Sequence, residues 1–535
     1  MADPGTVRRP RPARPTRVLA LVVALLLGLL TGCSSGGGKP AAGSSPSHAR
    51  SSRPASPTAT PSASAPMPRV DPKLRRFYDQ KLHWSRCQGG LCAGLTVPMS
   101  YAHPSGKTVD VRLLKVPAGH HPAQAPDLVI NPGGPGGSGV QYARAAQAAY
   151  TPQLLAHDNI IGFDPRGIGS SDPLECLGTR KLDAFIASDP DPDNAAERRH
   201  MDQLVHGFGE ACLRHDPALA RNMSTEEVAR DMDILRAALG QPKLDYFGAS
   251  YGTLLGATYA NLFPAHVGQM VLDGAIDPRL SNAQMSLAQA KGFQTALDSY
   301  VKSCVGQGGC VLGDSVPAAV RRVKRFLDAT ERHPLPTDDP HRPLTKGLAE
   351  IGVWMPLYVK SLWPQLTAGL TQAIRKHRGS ILLSLADMYD SRGPSGYTDN
   401  SMNALYDVNC LDHDDYIPSS QVPAHFAQFE KASPTFGKTF AFSLSTCSTW
   451  PIKTHHRTHA LHARGAPPIL VLGTTRDPAT PFAWAKALAR QLDSGVLVSR
   501  NGDGHTAYNR GNACINDTVD SYLIDGTVPK NGKSC

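Results

Sequence analysis

Gly248-Ala249-Ser250-Tyr251-Gly252 is the stretch of sequence that decides the fold. It follows a predicted strand at 244–247 and leads into a predicted helix at about 251–262. Glycines suit such a sharp turn, because they leave room beside a strained serine. The G-x-S-x-G pattern at a strand-to-helix turn predicts that Ser250 is a nucleophile at the carboxyl edge of a sheet. A turn with no chemical role is the alternative.

Short apolar runs that end in Gly, Asp or Asn alternate with helical patterns on both sides of this turn. Such alternation is typical of a mostly parallel sheet flanked by helices. The clearest helix begins at Ser224, whose side chain can cap the first turn while Glu227 returns the hydrogen bond. Runs at 128–130 and 160–163 lead into loops at the carboxyl edge, where such proteins place their chemistry. We therefore predict an α/β protein with the α/β-hydrolase fold.

Helical patterns replace the alternation between about 277 and 455, and strand patterns return at 469–472 and 496–498. This interruption predicts a mainly helical cap inserted into the α/β-hydrolase fold. The predicted segments are a signal peptide, a disordered tether, the first part of the α/β-hydrolase core, the helical cap and the C-terminal part of the core, at residues 1–32, 33–70, 71–277, 278–455 and 456–535.

A serine nucleophile needs a base, and the base needs a group that orients it. In this fold both follow the serine along the chain, each after a late strand. Asp477 follows the strand that ends near Gly473, and His505 follows the next strand. Asp503 and Asp273 compete with Asp477 for the role of the acid. Asp503 lies two residues from His505 on the same loop, so we expect it to be solvated.

The oxyanion of a tetrahedral intermediate needs backbone N–H donors that already point at it. We predict one donor at Tyr251, the residue after the nucleophile. The second is predicted at Gly134, in the glycine-rich loop 131–139. The loop lacks the Gly-Lys-Ser/Thr of a phosphate-binding loop. A loop that is only flexible is the alternative.

Several motifs together resemble one group of α/β-hydrolases, the prolyl and tripeptidyl aminopeptidases, and most of all the secreted actinobacterial tripeptidyl aminopeptidases. The motifs are the Gly-Gly-Pro-Gly loop, Asp-Pro-Arg-Gly-Ile-Gly-Ser-Ser at 164–171, the turn at Ser250 with the Thr that follows it, Val-Leu-Asp-Gly at 271–274 and Gly-Asp-Gly-His at 502–505. Prolyl aminopeptidases usually have His before these glycines. This chain has Asn131-Pro132 there, which resembles the tripeptidyl branch. The resemblance extends from about Leu82 to Cys535 and implies a serine peptidase that acts on free amino termini.

An aminopeptidase must bind the ammonium group of its substrate, and a carboxylate in the cap can do so. Asp407, Asp412 and Glu350 are the candidates, although most cap carboxylates are simply solvated. Peptides are the expected substrates, through an acyl-enzyme that forms and breaks down at a Ser-His-Asp triad. A carboxylesterase or lipase on the same fold, and a non-catalytic surface binding module, are the alternatives.

The amino terminus predicts export. Five arginines precede the uncharged apolar run 18–30, which is too short for a comfortable membrane span. Leu-Thr-Gly-Cys at 30–33 resembles a bacterial lipobox, which predicts a lipid on Cys33 and a lipoprotein on the outer face of the cell membrane. An ordinary secretory signal and shedding into the medium are the alternatives. Residues 34–68 are rich in Ser, Pro, Ala and Gly and predict the tether.

Eleven cysteines minus Cys33 leave an even number, which predicts five disulfides in an exported protein. The sequence leaves the pairing open, and the simplest set is Cys87–Cys92, Cys176–Cys212, Cys304–Cys310, Cys410–Cys447 and Cys514–Cys535.

Charge and spacing also indicate which partners to expect. The formal net charge is +10 and becomes smaller once the arginine-rich signal segment is removed. The remaining charge is spread out, without a basic run interleaved with aromatics, so a nucleic-acid function is not predicted. Neither a metal nor another cofactor is predicted, because the histidines are scattered and no cysteine pair has zinc-knuckle spacing. We expect a monomer.

Overall fold

The computed structural model describes residues 71–454 and 457–535. The predicted signal peptide, the predicted lipidation site Cys33 and the predicted tether lie outside the described residues, as does the boundary predicted at 455/456. In the described part of the chain, no helix combines the length and the apolar character needed to cross a membrane.

A ten-stranded sheet forms the centre of the structure, in the order β1-β2-β3-β5-β4-β6-β7-β10-β11-β12. The first strands pair antiparallel as far as β5, and all pairings from β5 to β12 are parallel. The separate hairpin β8/β9 lies outside this sheet. The strands are β1 Ser85–Cys87, β2 Gly90–Pro98, β3 Thr108–Val116, β4 Asp127–Asn131, β5 Asn159–Phe163, β6 Leu244–Ala249, β7 Val267–Asp273, β8 Arg392–Gly393, β9 Gly396–Tyr397, β10 Ile469–Arg476, β11 Gly495–Asp503 and β12 Lys533–Ser534.

Helices flank this sheet and also form the segment between β7 and β10. They are α1 Arg75–Tyr78, α2 Gly139–Arg144, α3 Ala146–Ala149, α4 Pro152–His157, α5 Thr179–Ile186, α6 Ala195–His215, α7 Thr225–Ala238, α8 Tyr251–Leu262, α9 Asn282–Gly306, α10 Val316–Arg332, α11 Lys346–Tyr358, α12 Trp363–Lys376, α13 Ser380–Tyr389, α14 Ser401–Asp412, α15 Phe426–Ala432, α16 Gly437–Phe442, α17 Phe482–Gln491 and α18 Ala513–Asp525. Short 3-10 helices lie at Leu219–Arg221, Pro264–His266, Lys360–Leu362, Ser419–His425 and Ser443–Ser445.

The central strands are apolar because both of their faces are buried. Every residue of β5 is buried. Alternate residues point to opposite faces of a strand, and accordingly Val129 and Ile161 pack in one hydrophobic cluster while Ile130 and Ile160 pack in another.

The helix predicted at Ser224 is α7, and its first turn differs from the prediction. Ser224 accepts a hydrogen bond from the backbone N–H of Glu227, as expected. Glu227 does not return the bond, because its carboxylate lies 3.3 Å from the guanidinium of Arg166. Arg166 is fully buried and donates two hydrogen bonds to Asp231. A buried guanidinium without carboxylate partners costs more free energy than an uncapped N–H group at a helix end near solvent. The capping box therefore does not form.

Asp233, in the second half of α7, holds several elements together. It accepts hydrogen bonds from Arg236 Nε, Tyr78 and Tyr259, and its Oδ1 lies 2.7 Å from His266 Nδ1. Burial alone would raise the pKa of Asp233, but the contacts with His266 and Arg236 lower it to about 2. The carboxylate therefore stays ionised across the physiological pH range.

Helices α9 to α16 lie between β7 and β10 and form the predicted, mainly helical insertion. A second segment, α5 and α6 between β5 and β6, packs against them. The ring of Phe185 lies 5.0 Å from that of Tyr406, and the ring of Phe208 lies 5.6 Å from that of Trp450. The cap is thus built from two stretches of the chain. Its predicted limits, 278–455, stay a prediction.

Among the described residues, five disulfides connect the elements. They are Cys87–Cys92, Cys176–Cys212, Cys304–Cys310, Cys410–Cys447 and Cys514–Cys535. Cys176–Cys212 and Cys410–Cys447 each close a long loop within the cap segments, with sequence separations of 36 and 37 residues.

Candidate active site

Ser250 occupies a strained turn between β6 and α8. Its backbone has φ 56° and ψ −124°, which is unfavourable for a residue with a β-carbon. The neighbouring glycines are required, since a β-carbon at Gly248 would lie 2.3 Å from the carbonyl oxygen of Gly252. The N–H of Ser250 donates to the carbonyl of Asp273 at 2.8 Å, which attaches the turn to the end of β7. The turn predicted from the sequence is therefore present.

His505 and Asp477 form a hydrogen-bonded pair at the ends of β11 and β10. His505 Nδ1 lies 2.9 Å from both carboxylate oxygens of Asp477. Asp477 is buried and also accepts the backbone N–H groups of Ala479, Thr480 and Thr506. An acceptor at this position places the proton on Nδ1, so Nε2 is left as a base. Nε2 is buried and has no hydrogen-bond partner among the described residues.

The serine turn and the imidazole both lie next to the peptide unit that joins Asp273 to Gly274. The carbonyl of Asp273 accepts the Ser250 N–H, and a β-carbon on the next residue, Gly274, would lie 3.2 Å from His505 Cε1. No hydrogen bond joins Ser250 Oγ to His505 in the described structure. In free enzymes such bonds are often long and tighten only with substrate. The three predicted triad residues therefore meet at one edge of the sheet.

The two competing carboxylates have other partners. Asp503 is not solvated as expected, because its Oδ1 accepts Arg476 Nε at 2.6 Å and its Oδ2 lies 3.4 Å from Lys360 Nζ. These contacts outweigh burial and lower the pKa of Asp503. Asp273 is buried and accepts the backbone N–H groups of Ala507 and Tyr508. These hydrogen bonds hold the loop that carries His505. From the sequence alone, the position of Asp273 at a strand end fitted this structural role and the role of the triad carboxylate equally.

The glycine-rich loop lies directly against the serine turn. A β-carbon at Gly133 would lie 2.4 Å from the carbonyl oxygen of Ala249, and Gly133 has φ 91°. The N–H of Gly133 is already bonded to the side chain of Asn131 at 2.9 Å. In contrast, the N–H groups of Gly134 and Tyr251 donate to no acceptor in the part of the chain that is described. This leaves both predicted oxyanion donors available, and their role stays a prediction.

The cap reaches the site at the end of α11. The carbonyl of Tyr358 accepts the N–H of His505 at 2.8 Å, and the Tyr358 ring stands perpendicular to the imidazole with centroids 5.4 Å apart. The start of α14 lies on the glycine loop, where a β-carbon at Gly136 would be 2.5 Å from the carbonyl oxygen of Ser401. Sequence reasoning missed Tyr358, because no local pattern distinguishes it from other helical aromatics.

The three predicted ammonium-binding carboxylates differ in their hydrogen-bond partners. Asp412 accepts hydrogen bonds from the backbone and the hydroxyl of Thr225, whose hydroxyl also contacts the Tyr251 hydroxyl. Asp407 is fully buried with neither oxygen hydrogen-bonded, and burial raises its pKa far above the usual range. Glu350 is buried on α11 with one oxygen bonded to the Thr439 hydroxyl and the other without a partner.

Among residues 71–454 and 457–535, no cluster of three or more histidine, cysteine or carboxylate side chains is arranged to hold a metal ion. A serine on a strained turn after a parallel strand, with an imidazole and a carboxylate delivered by later strands, defines the α/β-hydrolase class of serine hydrolases. The chain is a member of this class.

Comparison with known proteins narrows the class to a family. A family model described as "TAP-like protein" matches residues 433–535. The chain is 35% identical to the serine protease Hip1 of Mycobacterium tuberculosis, over 87% of this chain and 92% of that protein. It is 34% identical to Carboxylesterase B of the same organism, over 83% of this chain and 86% of that protein. It is 29% identical to the tripeptidyl aminopeptidase of Streptomyces lividans, over 86% of each chain.

The chain therefore belongs to the actinobacterial tripeptidyl aminopeptidase-like family. The predicted α/β-hydrolase fold, the predicted family and the predicted enzyme class, a serine peptidase, are confirmed.

Proposed function

We propose that this serine peptidase is an exported aminopeptidase that releases short peptides, tripeptides in particular, from free amino termini. The observation that carries the proposal is the meeting of Ser250 with the His505–Asp477 pair at one sheet edge, beneath a cap that contains buried carboxylates. The names of the relatives support the amino-end preference, since one of them is a tripeptidyl aminopeptidase.

The geometry supports an acyl-enzyme mechanism. His505 Nε2 accepts the proton of Ser250 Oγ as the hydroxyl attacks the substrate carbonyl. The N–H groups of Tyr251 and Gly134 donate to the resulting oxyanion. The imidazolium, held by Asp477, then protonates the leaving amine as the peptide bond breaks. Water, deprotonated by His505, hydrolyses the ester that links the released peptide to Ser250, which restores the free enzyme.

Ester hydrolysis is a second candidate function. It uses the same nucleophile, base and oxyanion donors, and a relative of similar identity is named a carboxylesterase. The amide reaction differs in needing a proton for a poor leaving group, which His505 can supply. Comparing amide with ester substrates therefore separates the two functions.

The five disulfides of the described part of the chain support export, because such bonds persist in oxidising compartments outside the cytosol. Anchoring through a lipid on Cys33 is a further part of the proposal. It predicts that the protein sediments with membranes when expressed with its own signal and that Cys33→Ala moves it to the soluble fraction. Equal distribution of the two forms would contradict the anchor.

The decisive experiment uses purified protein with two substrates, Ala-Ala-Pro-p-nitroanilide and a p-nitrophenyl ester. We expect amide turnover, release of an intact tripeptide by mass spectrometry, and loss of both turnover and fluorophosphonate labelling in Ser250→Ala. Rapid ester turnover without amide turnover would exclude the peptidase function in favour of an esterase. Labelling of the alanine variant would exclude Ser250 as the nucleophile.

A further inference from the structure

Four cationic side chains surround the loop that carries His505. Lys360 follows α11 in the cap, Arg476 ends β10 and Arg500 lies in β11. Arg510 comes five residues after the histidine. We call Lys360, Arg476, Arg500 and Arg510 the cationic rim. The rim borders the catalytic edge from both the cap and the core, so a molecule at the imidazole lies close to positive charge.

Among the described residues, a single carboxylate forms ion pairs with the cationic rim. Asp503 accepts Arg476 Nε at 2.6 Å, and its other oxygen lies 3.4 Å from Lys360 Nζ. No carboxylate oxygen in the described chain comes within 4.0 Å of the guanidinium group of Arg500 or Arg510. The excess positive charge of the rim therefore lies on these two arginines.

Arg500 and Arg510 also have hydrogen-bond donors left for a ligand. Arg500 donates to the backbone carbonyls of Asp503 and Arg510, at 3.2 Å and 3.3 Å. Arg510 donates through Nε to the Thr506 hydroxyl, and its two terminal nitrogens donate to no acceptor in the described chain. Burial, and then the charge of Arg510, lower the pKa of the Arg500 guanidinium. A bound carboxylate would relieve this repulsion.

Arg510 lies close to the catalytic groups. Its Nε is 3.1 Å from the Thr506 hydroxyl, which in turn donates to the carbonyl of His505 at 2.6 Å. Arg510 is also near Tyr142 of α2, the helix that follows the glycine-rich loop. Burial raises the pKa of Tyr142, and the charge of Arg510 opposes this rise. The guanidinium is therefore near both the imidazole and the loop that carries a predicted oxyanion donor.

The chemistry of acyl transfer indicates which half of a substrate passes the cationic rim. In the proposed mechanism His505 protonates the leaving amine, so the first residue after the scissile bond must lie beside the imidazole. The residues that follow it leave the site on the same side, where the rim lies. A guanidinium binds a carboxylate through two parallel hydrogen bonds, with more geometric specificity than an ammonium.

We propose that Arg500 and Arg510 bind a carboxylate in the leaving half of a peptide substrate. The preferred substrates then carry Asp or Glu, or a free carboxyl terminus, within a few residues after the scissile bond. This proposal rests on the proposed peptidase function and deepens it. An anionic lipid surface fits the cationic rim less well, because a membrane seated there would cover the imidazole and exclude the substrate.

The test uses two pairs of peptides that begin with Ala-Ala-Pro. The first pair continues with Ala-Glu-Glu-Ala-amide or Ala-Gln-Gln-Ala-amide, which compares acidic with neutral side chains. The second pair continues with Ala-Ala as a free acid or as an amide, which tests a terminal carboxylate. Mass spectrometry of the products gives kcat/KM for each peptide. We expect wild-type protein to prefer the acidic member of at least one pair by about tenfold, the value of one charge-assisted hydrogen bond.

The variants are Arg500→Gln and Arg510→Gln, each of which should reduce the acidic-to-neutral ratio to within about twofold of unity. Arg476→Gln is the matched control, because it removes the same charge from the same rim but from a guanidinium already paired with Asp503. It should keep most of the wild-type ratio. An equal loss in Arg476→Gln would overturn the assignment to Arg500 and Arg510 in favour of the general field of the rim.

The ratio is an internal measure, so it remains defined in a variant that is less active or less stable. Wild-type protein needs no substitution for a second measurement: its acidic preference should fall as NaCl is raised from about 0.05 M to about 0.5 M, because salt screens exposed charges. A preference that does not change with salt would contradict binding by the cationic rim.

The outcomes separate this proposal from the proposed function. Wild-type protein that cleaves none of the four peptides would refute the peptidase function itself. Cleavage of acidic and neutral peptides at equal rates would overturn only the role of Arg500 and Arg510. If that equality accompanied sedimentation with phosphatidylglycerol vesicles that both Gln variants lose, the cationic rim would bind an anionic lipid surface instead.

Discussion

Replacing Asp477 by Asn removes the charge of the proposed triad carboxylate while keeping its shape. In the wild type, Oδ1 accepts the N–H groups of Ala479 and Thr480, and Oδ2 accepts that of Thr506. An asparagine that keeps its oxygen at Oδ1 would direct its NH₂ group at the Thr506 N–H and at His505 Nδ1. Nδ1 would then have to accept a hydrogen bond, which moves the proton to Nε2 and removes the base.

The expected loss of catalytic activity in Asp477→Asn is much larger than the expected loss of stability. The wrong tautomer reduces kcat by about 10⁴-fold in a triad of this type, which corresponds to about 5.4 kcal/mol of transition-state stabilisation. Two donors facing each other in the buried site should also lower the free energy of unfolding by about 2 kcal/mol. The kinetic effect therefore exceeds the structural one, and the two are separable by measuring kcat/KM and denaturant unfolding on the same preparation.

Asp503→Asn is the matched control, because Asp503 lies on the histidine loop yet pairs with Arg476 and Lys360. It should keep kcat/KM within about threefold of wild type, as expected for a change outside the reacting groups. The assignment is refuted if Asp477→Asn keeps more than about a tenth of the wild-type kcat/KM, or if Asp503→Asn loses as much as Asp477→Asn.

Gly133→Ala would place a methyl group 2.4 Å from a backbone carbonyl of the serine turn, and we expect at least a ~100-fold loss of kcat/KM; unchanged kinetics would show that the loop does not support the nucleophile. Asp233 has a folded pKa of about 2, so it adds about 2 kcal/mol of stability above the unfolded pKa of about 4, and this is lost as the pH falls from about 4 to about 2. Urea unfolding of Asp233→Asn should lack that acid dependence, and a variant that retains it would contradict the assignment. Removing the Cys410–Cys447 bond, with its separation of 37 residues, by double replacement with Ala should cost about 4 kcal/mol in denaturant unfolding, and a loss under about 1 kcal/mol would show that the cap stays ordered without it.

The sequence could place the three predicted triad residues at one sheet edge because each lies within a few positions of a strand end. Ser250, Asp477 and His505 follow β6, β10 and β11 closely, and the carboxyl ends of parallel strands meet at one edge. Each position is therefore decided by a short local pattern and by the order of the strands along the chain.

The cap was less predictable because its organisation depends on contacts between distant parts of the chain. The packing of α5 and α6 on the inserted helices comes from pairs such as Phe185 and Tyr406, which no local period connects. The same applies to the Tyr358 carbonyl that binds the His505 N–H. The capping box predicted at Glu227 does not form, because the Glu227 carboxylate pairs with the buried guanidinium of Arg166, which is distant in sequence.

The contrast between edge and cap explains why overall similarity leaves the substrate open. The serine, the imidazole and the oxyanion donors at the edge can attack an ester as well as an amide, and relatives of comparable identity are named for both. An aminopeptidase, unlike an esterase, needs a group that binds a free amino terminus. We expect the cap to supply this group, because the last residue of α11, Tyr358, already contacts His505. Discrimination between free and blocked amino termini therefore distinguishes a peptidase from an esterase more directly than any change at the sheet edge.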